Sequence, residues 1–101
     1  MIGVIVSIGP SDTLDQARAS AVADQAASMF EGMAGLRSKV FMWDPETSSV
    51  VNVYVWESES AAREFFSPEL AARIVELYGA EPRVQFTDVA ALVDNGVGVG
   101  A

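Results

Sequence analysis

The chain of 101 residues contains no cysteine and no histidine, and only six basic residues stand against 14 acidic ones, a net charge of −8. Without cysteine there are no disulfides, thiolate metal sites, Fe–S clusters or Cys nucleophiles. Without histidine there is no Ser-His-Asp triad, no His-ligated zinc or haem, and no ordinary general base near neutral pH. Any chemistry falls to Asp, Glu, Lys, Arg, Tyr, Asn, Trp or a group borrowed from the substrate. The few bases, Arg18, Arg37, Lys39, Arg63, Arg73 and Arg83, are scattered, which argues against nucleic acid and against an anionic membrane surface as partners. No apolar run approaches the roughly 18–20 residues of a membrane span. Met1–Ile8 lacks the basic region and cleavage site of a signal peptide, so the expected location is the cytoplasm.

What is present is apolar: 50% of residues belong to the hydrophobic set. The length fits one domain, expected over residues 1–93, with a flexible Gly-rich tail over 94–101. Met1–Ile8 is a β-branched run stopped by Gly9-Pro10-Ser11 and reads as a strand. Thr13-x-x-Gln16 has the form of a capping box for an Ala-rich helix running to Met33. Leu36–Trp43 and Val50–Trp56 read as strands joined by the turn chemistry of Asp44-Pro45-Glu46-Thr47-Ser48-Ser49. Those turn carboxylates are read as turn formers rather than metal ligands. Ser58 caps a second helical stretch, interrupted at Ser67-Pro68 and stopped by Gly79. Pro82–Val93 gives the last strand. The order β-α-β-β-α-β predicts a ferredoxin-like α+β fold, an antiparallel sheet with two helices on one face.

The hairpin register carries the most information. With Trp43 opposite Val50, Phe41 faces Asn52, Lys39 faces Tyr54 and Arg37 faces Trp56. One sheet face is then aliphatic, and the other is aromatic with amide and cationic groups. A one-residue slip would mix the two sets, which the period of the strand disfavours. Neither face suits water, and a bare apolar face usually marks an interface. A homodimer through sheet-to-sheet packing is therefore expected. The aliphatic face is assigned to that interface and the mixed face to a pocket beneath the helices, with the opposite assignment also open.

Gly35-Leu36-Arg37-Ser38-Lys39-Val40-Phe41, Asp44-Pro45-Glu46-Thr47, Val53-Tyr54-Val55-Trp56-Glu57-Ser58 and Phe66-Ser67-Pro68-Glu69 resemble the YdhR-type and antibiotic-biosynthesis mono-oxygenases. Tyr78-Gly79 and Asp88-Val89 fit the YdhR branch, and the likeness spans residues 1–93. The resemblance implies a dimeric α/β barrel. It also implies cofactor-independent oxygenation of a polycyclic phenol or similar electron-rich aromatic, with the substrate supplying the electrons and neither cofactor nor metal.

Each candidate residue has two readings. Trp56 stacks a planar substrate or fills the core, and Phe41 would stack beside it. Tyr54 donates to an oxyanion or to a backbone carbonyl. Asn52 is a pocket amide or a hydrogen-bonded core amide. Lys39, the only lysine, holds a phenolate or reaches the rim, and Arg37 anchors substrate or makes a cation–π contact with Trp56. Two further functions stay open at this level: a non-enzymatic dimer that binds a small molecule or another protein, and a cyclase or isomerase using the same pocket.

Overall fold

The computed structural model describes residues 1–95. The β-branched run at the start forms β1 (Ile2–Ile8), whose alternate side chains Ile2, Val4, Val6 and Ile8 are buried. Helix α1 (Gln16–Phe30) follows, then β2 (Leu36–Asp44) and β3 (Ser49–Trp56), helices α2 (Glu59–Phe65) and α3 (Pro68–Tyr78), and β4 (Pro82–Asp88). The sheet order is β2-β3-β1-β4 and every pairing is antiparallel, the split-βαβ arrangement expected.

Local chemistry explains most element ends, and it corrects three expectations. Asp15, not Thr13, caps α1: its carboxylate accepts the Arg18 N–H at 2.8 Å. An aspartate at that position accepts a free amide and complements the helix dipole together, and here it prevails over a threonine two residues earlier. Helix α1 also ends at Phe30, where Glu31 turns to extended backbone, rather than at Met33. The last strand stops at Asp88 instead of Val93: Asp88 pairs with Ile2, the first residue of β1, and beyond that pair the Val89 N–H donates to the Met1 carbonyl at 3.3 Å. The interruption expected at Ser67-Pro68 is present, dividing the second helical stretch into α2 and α3, and Ser67 caps α3 with Pro68 in its first turn. No helix among the described residues is long and apolar enough to cross a membrane. The tail expected over 94–101 lies, from 96 onward, outside the described residues, and Asp94 and Asn95 are exposed.

The hairpin register is the expected one over most of its length. Trp43 pairs with Val50, Phe41 with Asn52 and Lys39 with Tyr54. It departs at the open end: Leu36, not Arg37, pairs with Trp56, because a bulge between Leu36 and Ser38 leaves Arg37 over. Arg37 consequently points away from the aromatic face and sits 3.8 Å from Glu57 in an exposed ion pair. The bulge keeps the apolar Leu36 on the buried face, a stronger demand than placing a cation beside an indole.

Pairing sorts the two faces. Val50, Asn52, Tyr54 and Trp56 of β3 lie beneath the helices and are all buried. Val51, Val53 and Val55, with Ile5 of β1, lie on the open face and are half-buried; Val40 and Met42 of β2 complete it at 50% and 42% exposed.

Candidate functional site

The helix-covered face of β3 presents Asn52, Tyr54 and Trp56 in succession, and helix residues close over them. Phe30 ends α1, Phe65 ends α2 and Phe66 follows it. Their rings meet Tyr54 and Trp56 in one continuous cluster: Tyr54 stacks on Trp56 with centroids 6.2 Å apart and planes 15° from parallel. Phe66 meets Tyr54 edge-on at 5.0 Å, and Phe65 meets Trp56 at 5.1 Å. Such contacts add about 0.5–1.5 kcal/mol each beyond the burial itself. Phe41 and Phe86 extend the cluster from the two outer strands.

Tyr78 enters from α3. It lies one turn after Ile74, the two forming the buried stripe of that helix. The helix end is pinned on three sides. Gly79 adopts φ 76°, a conformation that favours glycine, and its N–H reaches the Val75 carbonyl at 2.8 Å. The Arg18 guanidinium donates twice to the Leu77 carbonyl, at 3.2 and 3.0 Å, and the Ser11 hydroxyl donates to the Tyr78 carbonyl at 3.3 Å. The Tyr78 side chain is thereby held against Asn52.

The electrostatics of this interior are unusual. Burial raises the Tyr54 hydroxyl well above the ordinary tyrosine value, and the neighbouring Tyr78 adds to the rise. Tyr78 is also raised by burial, an effect the Asn52 side chain partly offsets by hydrogen bonding to the ionised form. Both phenols are therefore neutral donors at neutral pH. Lys39 is pulled the other way: burial lowers its ammonium from 10.5 to about 7. Its Nζ lies 3.6 Å from the ring centre of Phe30, 4.1 Å from Phe41 and 4.4 Å from Tyr54. Those ring faces favour the charged form and oppose the pull of burial. Among the described residues, two buried side-chain polar atoms have no hydrogen-bond partner, the Asn52 Oδ1 and the Trp56 Nε1. Each costs about 1–3 kcal/mol when left unpaired, and such a cost is most readily kept where a ligand or water completes the bond.

Among the described residues, one cavity is walled by Trp56 and another by Asn52, the residues two places either side of Tyr54 on β3. The larger, about 490 Å³, is walled by Met33, Gly35, Trp56, Ala61 and Phe65 with Glu64 beside them. That is within the range of small-molecule sites. Gly35 has φ 82°, and a Cβ there would come within 3.0 Å of the Ala61 Cβ, so the wall is built on a glycine. The smaller cavity, about 70 Å³, touches Ala19, Ala23, Phe41, Trp43, Asn52 and Tyr78. It has room for about two water molecules.

The expected site residues thus divide. Trp56 walls the larger cavity; Phe41 and Asn52 wall the smaller. Tyr54 and Lys39 pair across the strands between these positions. Arg37 is not brought to this face at all. Sequence reasoning missed Tyr78, whose i, i+4 relation to Ile74 was a usable signal, and the phenylalanines of the helix ends, which only the three-dimensional packing assembles. Arg63 pairs with Glu59 at 2.6 Å and also covers the Phe86 ring at 4.3 Å.

Solved structures that share this fold include several named as oxygenases, some of the antibiotic-biosynthesis type. A monooxygenase from the gene ActVA-Orf6 of Streptomyces coelicolor, in complex with nanaomycin D, superposes with a TM-score of 0.66 at 19% identity, over 94% of this chain and 92% of that one. SnoaB, a cofactor-independent oxygenase from Streptomyces nogalater, gives 0.65 at 15% identity, over 91% and 95%. Rv0793 from Mycobacterium tuberculosis gives 0.64 at 20% identity, over 94% and 98%. At these identities the likeness defines the fold. No protein-family model and no curated protein matches the chain.

Proposed function

We propose that this chain is a cofactor-independent mono-oxygenase acting on a planar, electron-rich aromatic or polyketide-like molecule. The observation that carries the reading is the larger cavity, of about 490 Å³, walled by Trp56 with Tyr54 stacked behind it. A flat substrate extends that stack. The likeness to two oxygenases, one named as cofactor-independent and one seen with nanaomycin D, supports the choice of chemistry.

In such a reaction the substrate is first ionised, its delocalised anion reduces O₂, and one oxygen atom is retained while the other leaves as water. For an anthrone-type substrate, a methylene carbon exchanges two C–H bonds for one C=O bond. The protein binds, holds charge and excludes water. Trp56 and Phe65, which wall the larger cavity, hold the ring system, while Phe41 walls the smaller cavity beside Asn52 and Tyr78. Tyr54 and Tyr78, both kept protonated by burial, donate to developing oxyanions. Asn52 sits beside Tyr78 with an acceptor still free. The aliphatic face, with Val40 and Met42 exposed, packs against the same face of a second copy, giving a homodimer.

The test is oxygen consumption by the purified protein with a panel of anthrones and hydroxynaphthalenes. Turnover above the uncatalysed rate supports the reading. A folded protein that consumes no oxygen with any of them argues for the binding-protein alternative, and turnover that survives removal of oxygen argues for a cyclase or isomerase.

A further inference from the structure

Oxygenation of this kind starts with loss of a proton, and the next inference rests on the mono-oxygenase reading by naming the group that accepts it. We propose that Lys39, enclosed by the rings of Phe30, Phe41 and Tyr54, is the base that ionises the phenolic or enolic hydroxyl of the substrate.

The first support is elimination among the groups of the covered face. Asn52 and Trp56 carry no basic atom, and Tyr54 and Tyr78 are held protonated. The other charged groups on elements around Lys39 face elsewhere. Arg37, on its own strand, is exposed and paired with Glu57, and Glu31, after α1, is exposed. Glu64 stands by the larger cavity but is exposed to solvent. The second support is the enclosure itself. Among the described residues no carboxylate lies within ion-pair distance of the Lys39 Nζ, so aromatic faces are its only observed cation partners. A desolvated amine with no counter-ion releases its proton readily, and its pull to about 7 leaves much of it free at neutral pH.

Position is the third support. Lys39 pairs with Tyr54, between the residues that wall the two cavities. The Phe30 ring lies 3.6 Å from Nζ and 5.9 Å from the ring of Phe65, which walls the larger cavity. Phe30 is the final residue of α1, and on this proposal its ring turns aside to open a path from the amine to the substrate. In the step, the substrate O–H bond breaks and its electron pair stays on oxygen. The amine nitrogen forms the new N–H bond. Ammonium and phenolate arise together, so the interior gains an ion pair and no net charge. The Tyr54 ring face and the new anion both stabilise the ammonium.

Because the chain has one lysine, selective ¹³C labelling gives one side-chain signal whose pH titration reports this amine alone. A midpoint near 7 is expected, and a midpoint near 10.5 overturns the proposal. Turnover supplies the sign. A base must be neutral to act, so kcat/KM rises with pH through the measured midpoint; a cationic anchor would make it fall, which also overturns the proposal. Lys39→Met, with Lys39→Gln as a second variant should the first not fold, is expected to lower kcat by about 10²–10⁴-fold and to abolish that limb. A bound hydroxyanthraquinone gives a readout without oxygen: the wild type shows the phenolate absorption band at neutral pH, and Lys39→Met binds the dye as the phenol. Phenolate formation in the absence of any turnover keeps the base and removes the oxygenase reading. Turnover that persists in Lys39→Met keeps the oxygenase and removes the base.

Discussion

The two faces of the sheet are built from the same four strands and differ in almost everything else. The covered face holds both tryptophans, both tyrosines, all five phenylalanines, the only lysine and a buried asparagine, counting the helix residues packed on it. The open face is centred on Ile5, Val40, Met42, Val51, Val53 and Val55, which carry no group able to move a proton or hold a charge. The covered face accepts costs that packing alone would not select: a desolvated amine, an amide oxygen and an indole N–H without partners. The open face has no such expense and gains only from being covered. On the proposed reading, one side serves chemistry and the other association.

The largest expected effect that separates them comes from the open face. Val53→Asp places a carboxylate at its centre, and a two-fold interface carries the change twice. Sedimentation should show the dimer dissociating with Kd raised about 10³-fold or more, while circular dichroism shows the monomer folded. Loss of the fold instead would mean that this face is part of the monomer's own stability. On the covered face, Trp56→Ala should cost about 3–5 kcal/mol in urea unfolding and empty one wall of the larger cavity. Asn52→Leu sharpens the contrast: removing an unpaired buried acceptor should leave stability unchanged or raise it by about 1 kcal/mol, while turnover falls. A clear destabilisation would show the amide to be a satisfied core group.

A further effect is a pH dependence of stability. Lys39 titrates near 7 in the folded chain and near 10.5 in the unfolded one, so between these values the unfolded state holds the extra proton. Stability therefore rises with pH across that window, the burial penalty being full below 7 and relieved above 10.5. Tyr54 and Tyr78 act at the top of the range, where the unfolded chain ionises and the folded one resists, so stability falls again above about 10. Urea midpoints measured along pH should follow this dome, and Lys39→Met should lose its rising limb.

Much of this was legible in the strands. Alternation in Val50–Trp56 and Leu36–Trp43 fixes which side chains share a face, and pairing Trp43 with Val50 is the arrangement that keeps Val away from Lys and Asn. Arg37 was misplaced because a bulge has no signature in composition; it follows from the need to bury Leu36 opposite Trp56. Tyr78 and Phe30 reach the site from helix ends, where a shift of a residue or two in the predicted boundary rotates a side chain to another side. The division into two cavities was not readable at all, since it depends on how four rings interlock around Tyr54.

The most direct measurement is the source of the oxygen in the product. Under ¹⁸O₂ in ordinary water, an anthrone turned over by this protein should yield a quinone carrying one heavy atom, with no added cofactor. An unlabelled product, or one formed equally well without oxygen, would contradict oxygenation on the covered face.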